Sequence, residues 1–176
     1  MVKNTFILTT FRGAENTAGS EIYMLLTEFG DNKAKVNSTG VPGVLQVDTA
    51  LSHQEVIDVV KKIVEFEPWR IRYMLRLLPV EKIVDMDMNT IIETVKTMAE
   101  RIGEKESFRV TVDKRHSPTP KDDVIKNIAN IMDRKVDLDN PDWIILIELV
   151  NDWTGISVIR PSQILNIVKA KRGDQE

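Results

Sequence analysis

"FRVTVDKRHSPTPKDDVIKNIANIM", Phe108 to Met132, decides how the second half of the chain folds. Phe108, Val110 and Val112 alternate with Arg109, Thr111 and Asp113, the period of a strand with one face on a core. Lys114, Arg115 and His116 close that strand as an unbroken basic row. Pro118 and Pro120 then stiffen the turn by fixing their own backbone angles. Thr119 is expected to cap a helix, with Pro120 at its first position and Asp122 and Asp123 at its positive end. Val124, Ile125, Ile128, Ala129 and Met132 give that helix one apolar stripe. Further on, "WIILIELV", Trp143 to Val150, is apolar on both faces, as a central strand should be. The helix in between is long enough for a right-handed crossover, so the two strands are expected to run parallel. "NDWTG" turns the chain and "ISVIRP" returns as an antiparallel neighbour. Upstream, Asn89 is expected to cap a helix carrying Ile91, Ile92, Val95, Met98, Ala99 and Ile102 inward, ending at Gly103.

The first half alternates differently. "TFILTTF", Thr5 to Phe11, reads as a strand, and Ser20 to Phe29 as a helix stopped by Gly30. Two short strands, near Lys33 to Asn37 and Val44 to Asp48, flank the turn "STGVPG". Ser52 and Glu55 form a capping box ahead of a stripe of Val56, Val59, Val60, Ile63 and Val64. "WRIRYMLRLLPV", Trp69 to Val80, alternates as a final strand, with Trp69 inward and Arg70, Arg72 and Arg76 on the other side. Strand-helix-strand-strand-helix-strand is the order of a ferredoxin-like domain. The reading is therefore α+β and α/β: a ferredoxin-like unit over residues 1–77, a mixed-sheet unit over 78–172, and a frayed tail at 173–176.

Composition narrows the function. The chain has 176 residues, 42% hydrophobic and 29% charged, which suffices for packed cores. It has no cysteine, which excludes disulfides and thiolate metal sites. The N-terminal segment lacks the apolar core of a signal peptide, and no run is long enough to span a bilayer, so a soluble, cytoplasmic protein is expected. Neither "GxxxxGK" nor "GxGxxG" occurs. Asp85 and Asp87 do not continue into a calcium loop, His53 reads as an exposed helix-start residue, and Ser117 beside His116 is no triad. No catalytic residue, metal or cofactor is expected; the chain reads as a binding module rather than an enzyme.

The cations suggest what it binds. Net charge is −3, so a polyanion would have to be met by local patches. Three basic stretches stand out: Arg70, Arg72 and Arg76; Arg109, Lys114, Arg115, His116 and Lys121; and Arg160, Lys169, Lys171 and Arg172. Of the tryptophans, Trp69 and Trp143 are expected in cores and Trp153 at a turn.

The run from Phe108 to Pro161, with its strand ending in "KRH", the helix "KDDVIKNIA", the connector "KVDLDNPDWIILIEL" and the returning "GISVIRP", resembles a THUMP domain. With "RYMLRLLPV" upstream, the chain is most similar to the adaptor branch that serves tRNA cytidine acetylation, although "SQILNI" (Ser162 to Ile167) stands where that branch carries Tyr-Asn-Leu. The resemblance implies tRNA binding at the acceptor stem and 3′ end, with chemistry performed by a separate enzyme, here a cytidine acetyltransferase. It carries RNA contact onto Lys114, Arg115, His116 and Arg160. The remaining cations are added on charge. The RNA-recognition portion of a thiouridine-forming or methylating enzyme, and a protein scaffold without an RNA role, are the alternatives.

Overall fold

The computed structural model describes residues 3–173. Met1–Pro79 together with Ser162–Glu176 form one compact unit, and Val80–Pro161 form another.

The first unit is built on β1 (Asn4–Thr9), α1 (Glu15–Glu28), β2 (Lys35–Ser38), β3 (Val44–Thr49), α2 (His53–Phe66) and β4 (Arg76–Val80). Its strand order includes β4-β1-β3-β2, the interleaving of a ferredoxin-like sheet. Phe6 and Leu8, two apart in β1, share a face and meet Ile22, Leu25 and Leu26 of α1 and Val56, Val60, Ile63 and Val64 of α2. Ser52 and Glu55 make the capping box. His53 is not an exposed helix-start residue: it is half-buried, donates from Nε2 to the Thr5 carbonyl at 2.9 Å, and sets its ring edge-on to Phe6. The first helix starts at Glu15, earlier than its apolar stripe announces; the Glu15 carboxylate accepts the Gly43 amide at 2.7 Å.

The alternation from Trp69 to Val80 does not become one strand. Pro68–Arg70 is a 3-10 turn, 71–75 is irregular, and β4 begins only at Arg76. The Glu21 carboxylate takes the amides of Arg72, Tyr73 and Met74, donors that a ladder would have needed. Ile71 and Met74, three apart, are the residues that reach the core, and Trp69 stands 63% exposed rather than buried.

The second unit contains β5 (Lys82–Asp85), α3 (Met88–Met98), β6 (Ser107–Arg115), α4 (Lys121–Ile131), β7 (Lys135–Val136), β8 (Trp143–Val150) and β9 (Trp153–Ile159), in the sheet order β5-β9-β8-β6-β7. Strands β6 and β8 are parallel, placing Asp113 opposite Glu148; β8 and β9 are antiparallel. Phe108 and Val112 pack with Ile145 and Ile147 against Ile91 and Val95 of α3 and Val124 and Ile128 of α4. Residues Ile144 to Val150 are buried on both faces of β8. Asp87, not Asn89, caps α3, its carboxylate accepting from the Thr90 amide and hydroxyl. Pro120, not Thr119, stands at the cap of α4, with no side-chain hydrogen bond.

The C-terminal segment departs most from expectation. The boundary falls between Pro79 and Val80, not at 77/78, and the chain from Ser162 belongs with the first unit. Leu165 and Asn166 form β10 (Leu165–Asn166), antiparallel to Leu77 and Arg76. Leu165 and Ile167 enter the first core, and the helix α5 (Ile167–Lys171) follows, with the Ile167 amide on the Leu75 carbonyl at 2.8 Å. A two-residue strand is too short to show a period, which is why the sequence did not reveal it. Lys169 and Lys171 lie in α5. Of the tail read at 173–176, residues 174–176 lie outside the described residues.

Candidate nucleic-acid interface

In the second unit, the end of β6 separates the three basic neighbours by geometry. Successive strand residues point to opposite faces, so Asp113 and Arg115 share one side and Lys114 takes the other. Across the ladder on the Arg115 side is Glu148, whose side chain is only 1% exposed. Arg115 Nε donates to Glu148 Oε2 at 2.8 Å, and its Nη2 lies 3.8 Å from Asp113. Burial pushes the Glu148 carboxyl up to about 8, with Arg115 pulling down and Asp113 pushing up. Ionising Glu148 away from water and beside a second carboxyl costs more than one guanidinium returns, so the Glu148 carboxyl holds its proton well above the usual carboxylate range. Arg115, 17% exposed, is thus committed to this internal cluster.

Past Arg115 the chain turns sharply. His116 adopts a left-handed φ of 54°, and the Asn151 amide donates to the Arg115 carbonyl at 3.1 Å. Ser117 is buried and accepts the Thr119 amide at 3.2 Å, fixing the two-proline turn. Lys114, His116 and Lys121 are left exposed around it; Lys114 and Lys121 have no carboxylate partner among the described residues.

Arg109 and Arg160 serve as clamps. Arg109 donates to the Leu138 carbonyl at 2.9 Å and to Thr111 at 3.3 Å. Arg160 lies 3.7 Å over the Trp143 ring, pairs with Glu106 at 2.7 Å and reaches the Asp142 carbonyl. The neighbouring Trp143 indole, then Arg160, hold the Glu106 carboxyl down at about 2.

In the first unit the fold joins two stretches a hundred residues apart. The Lys171 ammonium donates to the Ile71 carbonyl, which brings the basic α5 beside the Trp69–Arg76 segment. Arg70 is occupied by Glu28 and by Glu67, the latter at 3.1 Å. Arg76 is half-buried in β4 opposite Asn166. Arg72 is exposed, its Nε donating to the Trp69 carbonyl at 3.3 Å, and Lys169, Lys171 and Arg172 of the C-terminal segment are exposed as well. Phe66, 69% exposed, and Trp69 stand exposed on either side of Pro68. Sequence reading missed both aromatics, although Pro68 between them signals a turn. Trp143 and Trp153 are each partly buried.

Residues 86–159 match the THUMP domain family, entirely inside the second unit. The chain contains a THUMP domain. Its bounds take in Arg109, Lys114, Arg115, His116 and Lys121 and stop just before Arg160. Outside the THUMP domain the likeness to known proteins continues. An uncharacterized protein of Methanocaldococcus jannaschii is 26% identical over 97% of this chain and 45% of its own length. Among solved structures, PH1313 from Pyrococcus horikoshii Ot3 superposes with a TM-score of 0.64 at 20% identity, covering 89% of this chain and 55% of that one. TrmN from Thermus thermophilus gives 0.55 at 14% identity, over 90% of this chain and 47% of that one. A 4-thiouridine synthetase, crystallised with RNA and ATP, gives 0.54 at 15% identity, over 90% and 42%. At these identities the likeness is one of fold. The chain spans about half the length of the relatives it matches. Among the described residues, no helix is long and apolar enough to cross a membrane.

Proposed function

We propose that the chain is a tRNA-binding adaptor without chemistry of its own, which presents the acceptor stem and 3′ end to a separate cytidine acetyltransferase in the cytoplasm. The observation that carries this reading is a THUMP domain with Lys114, His116 and Lys121 exposed around one rigid turn. Cations on a stiffened loop meet phosphates with little ordering cost, and each neutralised phosphate contributes through counterion release. The exposed Arg72, Lys169, Lys171 and Arg172 supply further positive charge on the other unit. Within the loop the reading rests on Lys114, His116 and Lys121; Arg115, Arg109 and Arg160 support the framework on which they stand.

A second reading is favoured by the span of the match. A chain covering about half of a Thermus TrmN or of a 4-thiouridine synthetase is equally suited to be the RNA-recognition portion of a methylating or thiouridine-forming enzyme. Two measurements separate these readings. Mobility shift with intact tRNA and with tRNA lacking its 3′ end should show binding that weakens on truncation. Nucleoside analysis of tRNA from cells deprived of the protein should show loss of acetylcytidine, with thiouridine and methylated nucleosides retained. Loss of either of the latter instead moves the protein to the second reading, and absence of tRNA affinity contradicts both.

A further inference from the structure

We propose that Trp69 is a stacking platform for an unpaired base of single-stranded RNA, on the N-terminal unit and outside the THUMP domain. The proposal rests on the RNA-binding reading above and extends it to a residue that charge does not reveal. An indole left 63% in water forgoes much of the stabilisation that burial would give so large a side chain. Here the exposure is built in. The 3-10 turn at Pro68–Arg70 closes with the Arg70 amide on the Glu67 carbonyl at 3.0 Å. Arg70 ties that turn to Glu28 on α1, and Glu21 holds the next three amides. The ring is therefore carried on a braced backbone.

Its surroundings favour nucleic acid over a protein partner. Arg72 bonds to the Trp69 carbonyl, and Lys171 bonds to the carbonyl of Ile71, two residues on. The acids of this segment are already engaged: Glu28 and Glu67 by Arg70, Glu21 by backbone amides. What faces outward is an aromatic plane flanked by cations, the combination that single-strand binders use to stack a base and hold its phosphates.

The test is fluorescence anisotropy of the whole chain with a labelled single-stranded oligoribonucleotide and, separately, a blunt RNA duplex. Trp69→Ala should weaken single-strand binding by roughly 5- to 100-fold while leaving its salt slope unchanged, because stacking releases no counterions. Trp69→Phe, which keeps a π-face, should retain most of the affinity, and duplex binding should not move. Equal affinity of the Trp69→Ala variant and the parent for the single strand overturns the proposal, as does an equal loss on both RNAs. If Lys114→Glu/Lys121→Glu abolishes binding while Trp69→Ala does not, stacking falls and the RNA-binding reading stands. A parent that binds neither RNA takes both down.

Discussion

Arg115 illustrates how far a single residue can depart from its place in a motif. In the sequence it is the middle of a basic row; in the fold it balances Glu148 and Asp113 on the face of β6 opposite Phe108 and Val112. Strand alternation separates it from Lys114, and the left-handed His116 turns the chain away immediately afterwards. The alternation of β6 was legible, but the carboxylate across the ladder depended on a register the sequence does not display. This cluster has a pH signature. Glu148 titrates near 8 in the fold against an ordinary 4.5, so the folded state binds its proton the more tightly. Its contribution to stability is therefore full below about 4.5 and is lost as pH rises toward 8. Glu148→Gln keeps the shape and the hydrogen bond to Arg115 while removing the titration. Urea midpoints of the parent should fall between pH 5 and pH 8.5 more steeply than those of the variant; parallel profiles would place the proton elsewhere.

At the scale of elements, strong periods read true and short or interrupted ones did not. The crossover from β6 through α4 to β8 follows directly from the alternation before the prolines and the helical stripe after them. The capped α2 behaves the same way. Trp69 to Val80 misled because its alternation was real in sequence and defeated by Glu21, a residue of another helix. The two-residue β10 carried no period at all, so the return of the chain to the first sheet went unread. That return has a measurable consequence. Leu165 is 3% exposed in the first core, and Leu165→Ala should cost about 2–5 kcal/mol in urea unfolding. Hydrogen exchange should quicken in β1, β4 and α2 and remain slow in β6 and β8. Loosening of β6 and β8 instead would attach the C-terminal segment to the THUMP unit, as the sequence had suggested.

For the whole molecule, the central fact is local positive charge on a chain whose net charge is −3. A globally basic protein attracts RNA at a distance; under the proposed reading this one would do so through a few exposed cations at close range, within a Debye length of ~8 Å at physiological salt. Of the twelve residues that sequence and resemblance marked for RNA, the fold commits Arg70, Arg115 and Arg160 to carboxyl groups and Arg109 to a carbonyl, and half-buries Arg76 in β4. Lys114, His116 and Lys121 on the THUMP unit, and Arg72, Lys169, Lys171 and Arg172 on the other, remain exposed. The charge clusters were visible in sequence, whereas their division into internally bonded and exposed side chains required the fold. The most direct test is tRNA affinity as a function of salt for the parent and for Lys114→Glu/Lys121→Glu. The account predicts weaker binding for the variant and a log–log salt slope shallower by roughly 1 to 2, one step per lost phosphate contact. An unchanged affinity and slope in a variant that melts like the parent would contradict it.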